Sequence, residues 1–362
     1  MHQEVLKYIC CPVCKKGLSL TIFRQDNENN IREGYLSCQC GALYPVIRGV
    51  PRLFSRELMR ELIYLPYRWF LAEYDDRLPG PFTKEWHDFI NNKAKGRSLK
   101  LSTASSFGYE WKRFSRLFEV YRLNFLNYIQ PFKESDLKNK VILDAGCGVG
   151  RHTYWAAKFG AKQVIGLDLS DAVEPADENC RHLKNVNIIQ ADIYNLPFGE
   201  IFDFIFSIGV LHHLPDPEAG FRSLTRFLKP AGIILIWVYG RLNNNAAVYF
   251  YEPIRKITRH INKKALVVIC YPFAGAVHGF NRLADLMSKL PLTKKVASFL
   301  PFQYYRLFPF EVKLNDAFDV LATPKSRYYK IEKIRNWFKN AGFSESKLSY
   351  LRKKSIIAYS KK

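Results

Sequence analysis

The chain has 362 residues, 48% of them hydrophobic, which suffices for one large domain with accessory parts. Its 55 Lys and Arg against 33 Asp and Glu give a formal charge of +22, and no uninterrupted apolar run reaches membrane-spanning length. No basic-then-apolar leader opens the sequence, and five of the eight cysteines crowd into the first 40 residues in metal-like spacing. A secreted disulfide scaffold is therefore not expected, and a cytoplasmic protein is. Residues 140–240 hold nine Lys/Arg and eleven Asp/Glu, whereas residues 241–312 hold eleven and three. The basic excess lies largely outside the centre of the chain. It suits a nucleic acid, a phosphorylated substrate or an anionic membrane surface, or is simply a solvated basic face.

Residues 1–55 read as a small module. Cys11-Pro-Val-Cys14 is followed, 23 residues on, by Cys38-Gln-Cys40-Gly41. Two cysteine pairs so spaced suit four thiolates around a tetrahedral zinc, replacing a core too small to fold alone. Reduced structural cysteines are the plainer alternative. The C-x-C form of the second pair strains the geometry, which leaves Cys10 as a substitute ligand. The continuation Tyr44-Pro-Val-Ile-Arg-Gly49-Val-Pro51 resembles the small zinc-ribbon activator subunit of RNA and translation-factor methyltransferases. That resemblance implies a scaffold or docking role, since four thiolates leave no open metal position.

Residues 56–135 read as a helical connector. Leu78–Pro81 and Asn91–Ser106 look like loops, and apolar residues at helical spacing run from Ser106 to Ile129. Tyr109 and Trp111 are either site-lining aromatics or core.

Residues 136–240 form the centre. Val141-Ile-Leu143 is a strand buried on both faces, and it ends in Asp144-Ala-Gly146-Cys147-Gly148-Val-Gly150. Glycine allows positive φ and close backbone approach to a ligand. A helix follows from Arg151 to Phe159, capped by Gly160. Further strands are expected at 163–167, 186–189, 202–207 and 233–238, with a helix at 219–228. Asp168 closes the second strand, 20 residues past Gly148, where a doubly wound nucleotide site places a carboxylate on ribose hydroxyls.

The D-x-G-x-G-x-G turn departs from the dinucleotide spacing and resembles the first motif of class I S-adenosylmethionine-dependent methyltransferases. Ala191-Asp192-Ile193, Leu196-Pro-Phe198 and Gly209-Val-Leu-His-His-Leu-Pro-Asp216 match the family's later motifs in order. The resemblance implies an α/β fold: a seven-stranded doubly wound, Rossmann-like sheet whose last strand is antiparallel. It implies S-adenosylmethionine as cofactor, held by Asp144, Gly146, Cys147, Gly148 and Gly150. Asp168 and Leu169, Asp192 and Ile193, and Ser207 complete the implied contacts.

Residues 241–312, aromatic and basic, exceed what a loop needs there and read as a helical lid over the crevice. Their most apolar part, Ala265–Val277, is too short to span a membrane and reads as a buried or interfacial helix. Residues 313–362 close the core with a helix ended by Gly342 and a hairpin about Arg352-Lys-Lys354. For methyl transfer, His212 and His213 are the candidate bases, with Asp319, Tyr328 and Tyr329 behind them. The expected acceptor is a small, lipid-linked or sugar-linked metabolite with an O or N nucleophile. RNA is the second reading, a non-catalytic cofactor-binding scaffold the third, and peripheral membrane contact is compatible with the first.

Overall fold

The computed structural model describes residues 1–362 except 56–57, 60–64, 92–98 and 246. The central strands are β5 (Val141–Ala145), β6 (Gln163–Asp168), β7 (Val186–Ala191), β8 (Phe202–Ile208) and β9 (Leu228–Tyr239). They pair in parallel in the order β7-β6-β5-β8-β9. Alternate residues feed opposite faces, as the two-residue strand period requires. Leu143, Ile165, Ile189 and Ile205 join one apolar cluster, while Ile142, Val164, Ile188 and Phe204 join another. Helices cover both faces, so these strands read as continuous apolar runs rather than alternating ones. One face receives α5 (Arg151–Lys158) and α6 (Val173–Cys180) through Trp155, Ala156, Val173 and Ala176. The other receives α7 (Pro217–Thr225) and α11 (Ile331–Asn340) through Phe221, Leu224, Trp337 and Phe338. Asp216 starts α7 by accepting the Ala219 N–H at 3.0 Å, with Pro217 in the first turn. Strands β10 (Lys347–Leu351) and β11 (Ser355–Lys361) form a hairpin, and β11 joins β9 antiparallel.

The sheet has eleven strands among the described residues, where seven were expected. The four extra strands are β1 (Ser19–Gln25), β2 (Ile31–Ser37), β3 (Leu43–Ile47) and β4 (Val50–Leu53). The N-terminal strands are thus attached to the edge of the central sheet. The last of them, β4, adds parallel to β7, pairing Arg52 with Gln190 and Leu53 with Ala191. Side chains reinforce the seam. Buried Arg52 donates to the Gln190 side chain and pairs with Glu174 at 3.5 Å, and Arg32 pairs with Asp177 at 3.0 Å. The Cys10 N–H donates to the Pro197 carbonyl at 2.8 Å. Sequence reasoning missed this junction because a two-residue parallel pairing leaves no periodic signal.

Two helices, α1 (Leu65–Tyr74) and α2 (Gly80–Asn91), pack against the N-terminal strands, with Phe23 stacked on Tyr74. The loop expected at 91–106 is corrected in part. Residues 92–98 lie outside the described residues, and 99–106 belong to helix α3 (Leu99–Arg113). Helix α4 (Val120–Tyr128) follows. After β9 come α8 (Glu252–Thr258), α9 (Lys263–Ser288) and α10 (Phe310–Ala322). A boundary at 312 would cut α10, so the helical layer runs on to Ala322. Leu266, Val267 and Cys270 of α9 meet Leu314 and Phe318 of α10, with Tyr109 of α3 and Phe114 just past it alongside. This layer stands over the carboxyl ends of the parallel strands. No described helix is long and apolar enough to cross a membrane.

Arg52→Ala leaves the Gln190 and Glu174 side chains without their buried partner. The expected cost is about 3 kcal/mol of unfolding free energy, read from urea melts. An unchanged midpoint would show that Arg52 does not hold the seam.

Candidate functional site

The carboxyl ends of β5 to β9 open on a cavity of about 350 Å³, roofed by α3, α10 and the 304–308 segment. Its floor is the turn after β5. The Gly146 and Cys147 N–H groups both donate to the Leu167 carbonyl, at 2.7 and 2.9 Å. The next N–H, of Gly148, donates to Asp168 Oδ2 at 3.0 Å. The other Asp168 oxygen accepts the Ser170 N–H and hydroxyl at 2.8 and 2.7 Å. Gly146 has φ +89°, and a Cβ there would sit 2.3 Å from Val210 Cγ2, so only glycine fits.

Of the expected contacts, Gly146, Cys147, Gly148, Asp168, Leu169, Asp192 and Ile193 line the cavity. Asp144, Gly150 and Ser207 do not. Asp144 is buried beneath the turn and accepts the Thr153 hydroxyl at 2.7 Å. Burial raises its pKa to about 7, against the opposing Thr153 hydrogen bond. Gly150 caps α5 with φ +81°. The fully buried Ser207 turns its hydroxyl to the Ala145 carbonyl at 2.9 Å, which removes it from the expected cofactor shell. Trp111 lines the cavity, whereas Tyr109 packs on Phe318 outside it.

The two histidines separate. His212 is fully buried, and neither ring nitrogen has a partner among the described residues. Burial pushes its pKa well below the ordinary histidine value, and it does not line the cavity. His213 does line it, and its Nδ1 lies 2.8 Å from the Lys325 carbonyl. A carbonyl only accepts, so Nδ1 carries the proton and Nε2 keeps a lone pair. Burial also lowers the His213 pKa. Of the weaker candidates, Asp319 lines the cavity, while Tyr328 and Tyr329 do not.

Several lining residues escaped sequence reasoning. Lys100 pairs with Asp192 at 2.6 Å and lies over the Tyr194 ring. Arg151 places its guanidinium over Trp111 and Tyr121. Glu110, Asn315 and Asp316 come from α3 and α10. Burial raises the Asp316 pKa to about 6 and drives that of Glu110 well up. Asn315 Oδ1, Thr103 Oγ1 and Trp237 Nε1 are buried without a partner among the described residues and so available to a ligand. Of these, Arg151 alone adjoins a motif.

A second constellation lies in the N-terminal strands. The Sγ atoms of Cys11, Cys14, Cys38 and Cys40 all lie within 4.8 Å of one another. The Cys11–Cys40 and Cys14–Cys38 separations are 3.7 and 3.3 Å. Tetrahedral thiolates about 2.3 Å from zinc stand about 3.8 Å apart, so the donor set fits. Gly41, at φ +85°, closes the turn that brings Cys40 in, which answers the C-x-C strain. Cys10 stays outside the cluster.

Residues 143–236 match the family model described as a methyltransferase domain. A tRNA U34 carboxymethyltransferase of Aliarcobacter butzleri is 36% identical over 113 residues, 30% of this chain and 36% of that protein. An uncharacterized protein of a Synechococcus strain is 27% identical over 215 residues, 56% of this chain and 47% of its own. The chain therefore spans less than half the length of these curated relatives. The solved magnesium protoporphyrin IX methyltransferase of Synechocystis, with bound S-adenosylmethionine, is 13% identical at a TM-score of 0.42. It covers 75% of this chain and 100% of that one. The parallel sheet is Rossmann-like in strand order, and residues 143–236 of it are similar to a methyltransferase domain.

Asp144 sets a pH dependence. A carboxyl raised from 3.8 to about 7 on folding keeps its proton in the native state while the unfolded chain loses it. Stability contributed at Asp144 therefore falls as pH rises from about 4 to about 7, by about 1.4 kcal/mol per unit, and is flat beyond. Asp144→Asn removes the titration, so urea melts should show wild type losing ground to the variant across that window. A constant gap would mean that Asp144 is ionised in the folded protein throughout.

Proposed function

We propose that the protein is an S-adenosylmethionine-dependent methyltransferase acting on an O or N nucleophile of a small, lipid-linked or sugar-linked metabolite. The observation that carries this reading is the Gly148 N–H on Asp168, which fixes the D-x-G-x-G-x-G turn beside an enclosed cavity. Asp168 keeps lone pairs for ribose hydroxyls, and Asp192 and Ile193 stand where an adenine edge would lie. The Gly146–Gly148 backbone leaves room for the methionine part. Asp144 acts from below, bracing the turn through Thr153. Bound S-adenosylmethionine supplies an activated methyl group, so the chain's own work is to position the acceptor and exclude water. α3 and α10 act as the lid. His213 takes the acceptor's proton on Nε2, and its low pKa keeps it neutral and competent near pH 7. His212 packs beneath it, between the His213 and Tyr239 rings.

RNA is the second reading, favoured by the tRNA U34 carboxymethyltransferase match. That match covers 30% of the chain and 36% of the relative. The cysteine cluster we read as a structural zinc ribbon. It stiffens the strands that support β7, and so Asp192, rather than a free docking arm. With no disulfide among the eight cysteines, a reducing cytoplasm suits the chain.

Four measurements test these readings. Metal analysis of purified protein should find about one zinc per chain, and a metal-free, fully folded N-terminus would remove the ribbon. Tritium from labelled S-adenosylmethionine, supplied with extract of a strain lacking the gene, should enter an organic-extractable or small-molecule fraction. Counts in a nuclease-sensitive fraction would select RNA instead. Gly146→Val should abolish both transfer and cofactor binding. His213→Ala should lower transfer by about 10² or more with cofactor binding intact, and unaffected transfer would strike His213 as base.

A further inference from the structure

The outer face of α9 is used by none of this chemistry. The helix runs 26 residues, about 39 Å at the α-helical rise. Leu266, Val267, Cys270 and Ala274 fill its inner face against α10. The outer face is apolar as well: Val268 is 66% exposed, and Phe273, Phe280 and Leu286 are open to solvent with it. Between Ala265 and Phe280 there is no Asp, Glu, Lys or Arg. A helix apolar all round belongs inside a core or against a second apolar phase, and here half of it lacks protein cover. The patch continues beyond the helix. Phe302 contacts the rings of both Phe273 and Phe280, each at 6.2 Å. Leu292 and Phe299 are 94% and 79% exposed.

We propose that this face docks the protein on an anionic lipid bilayer, with α9 lying in the plane of the interface. Charge selects the occupant. Residues 241–312 carry eleven Lys/Arg and three Asp/Glu, and two of those acids are already paired, Glu252 with Arg255 and Asp285 with Arg306, each at 2.6 Å. Exposed Lys264, Arg282, Lys289, Lys294 and Lys295 flank the apolar stretch. Apolar and aromatic side chains bordered by cations are what an interfacial helix presents to acidic headgroups. A second copy of the same face would bring like charges together. An RNA would satisfy the cations and leave the aliphatic surface wet. The patch also reaches the cavity, since Tyr304, two residues past Phe302, is exposed and lines it. On the transferase reading above, a lipid-linked acceptor would pass from the bilayer into the site along that edge; the docking surface itself does not depend on that reading.

The test is flotation of the full chain with vesicles of phosphatidylcholine, alone or mixed with phosphatidylglycerol. Binding to the mixed vesicles should be tighter by about tenfold or more and should weaken in high salt. Val268→Asp combined with Phe299→Asp should abolish it. Both residues are exposed, so the melting temperature and S-adenosylhomocysteine binding should stay unchanged. Lack of vesicle binding overturns the proposal, as does equal binding by the variant. Self-association of wild type in sedimentation equilibrium, lost in the variant without any vesicle binding, would assign the face to a second copy. Capture of transfer RNA but not vesicles would assign it to nucleic acid. Loss of methyl transfer with flotation intact would strike the transferase reading alone.

Discussion

Three successive N–H groups, of Gly146, Cys147 and Gly148, bind the turn after β5 to the end of β6. The site follows from that attachment. It holds the turn flat against the sheet edge, and a flat turn needs residues without Cβ where Val210 comes within van der Waals contact. It also occupies Asp168 from one side and leaves its remaining lone pairs facing the cavity. Asp144 answers the same constraint from beneath. A carboxyl so deeply buried is tolerable there because Thr153 donates to it and because it can hold its own proton.

The N-terminal strands extend this logic to the far edge. Parallel sheets are stable only when covered, and an open β7 would present unpaired backbone groups beside Asp192. β4 covers that edge, and residues flanking the cysteine cluster bond to the segment just past β7, Cys10 N–H to the Pro197 carbonyl and Lys15 to the Leu196 carbonyl. On the zinc reading proposed above, a metal-held sheet fused in this way would transmit its rigidity to the cavity wall. The four thiols therefore bear on the site without touching it, through backbone pairing at Gln190 and Ala191.

The sequence made the floor of the site legible and left its roof dark. β5, the glycine turn, Asp168 and the Asp192 segment are local: apolar run, glycine spacing and strand-end acid sit within a few residues of one another. The cysteine cluster was legible for the same reason. Ser207 misled because the next residue, Ile208, does line the cavity, while strand alternation turns Ser207 to the other face, where it bonds the Ala145 carbonyl. Glu110, Asn315 and Asp316 gave no signal, since only the docking of α3 against α10 brings segments two hundred residues apart to one cavity. His212 and His213 look alike in sequence. They part because a single residue's rotation buries one ring among aromatics and aims the other at the Lys325 carbonyl.

The charge distribution follows the same division. The centre of the chain is close to neutral, with nine basic and eleven acidic residues over 140–240, and its buried carboxylates hold raised pKa values. A strongly basic core around such a cavity would pull those pKa values back down and ionise Asp144 beneath the turn. The segment over 241–312 carries the excess instead, on a helical layer whose outer surface is apolar. Buried Arg255 packs against α10 by donating to the Val320 carbonyl, whereas Lys264, Arg282, Lys289, Lys294 and Lys295 stay exposed beside the apolar surface. The exposed cations are the ones the proposed docking would use, while Arg255 of the same layer adds to burial in lowering the His213 pKa.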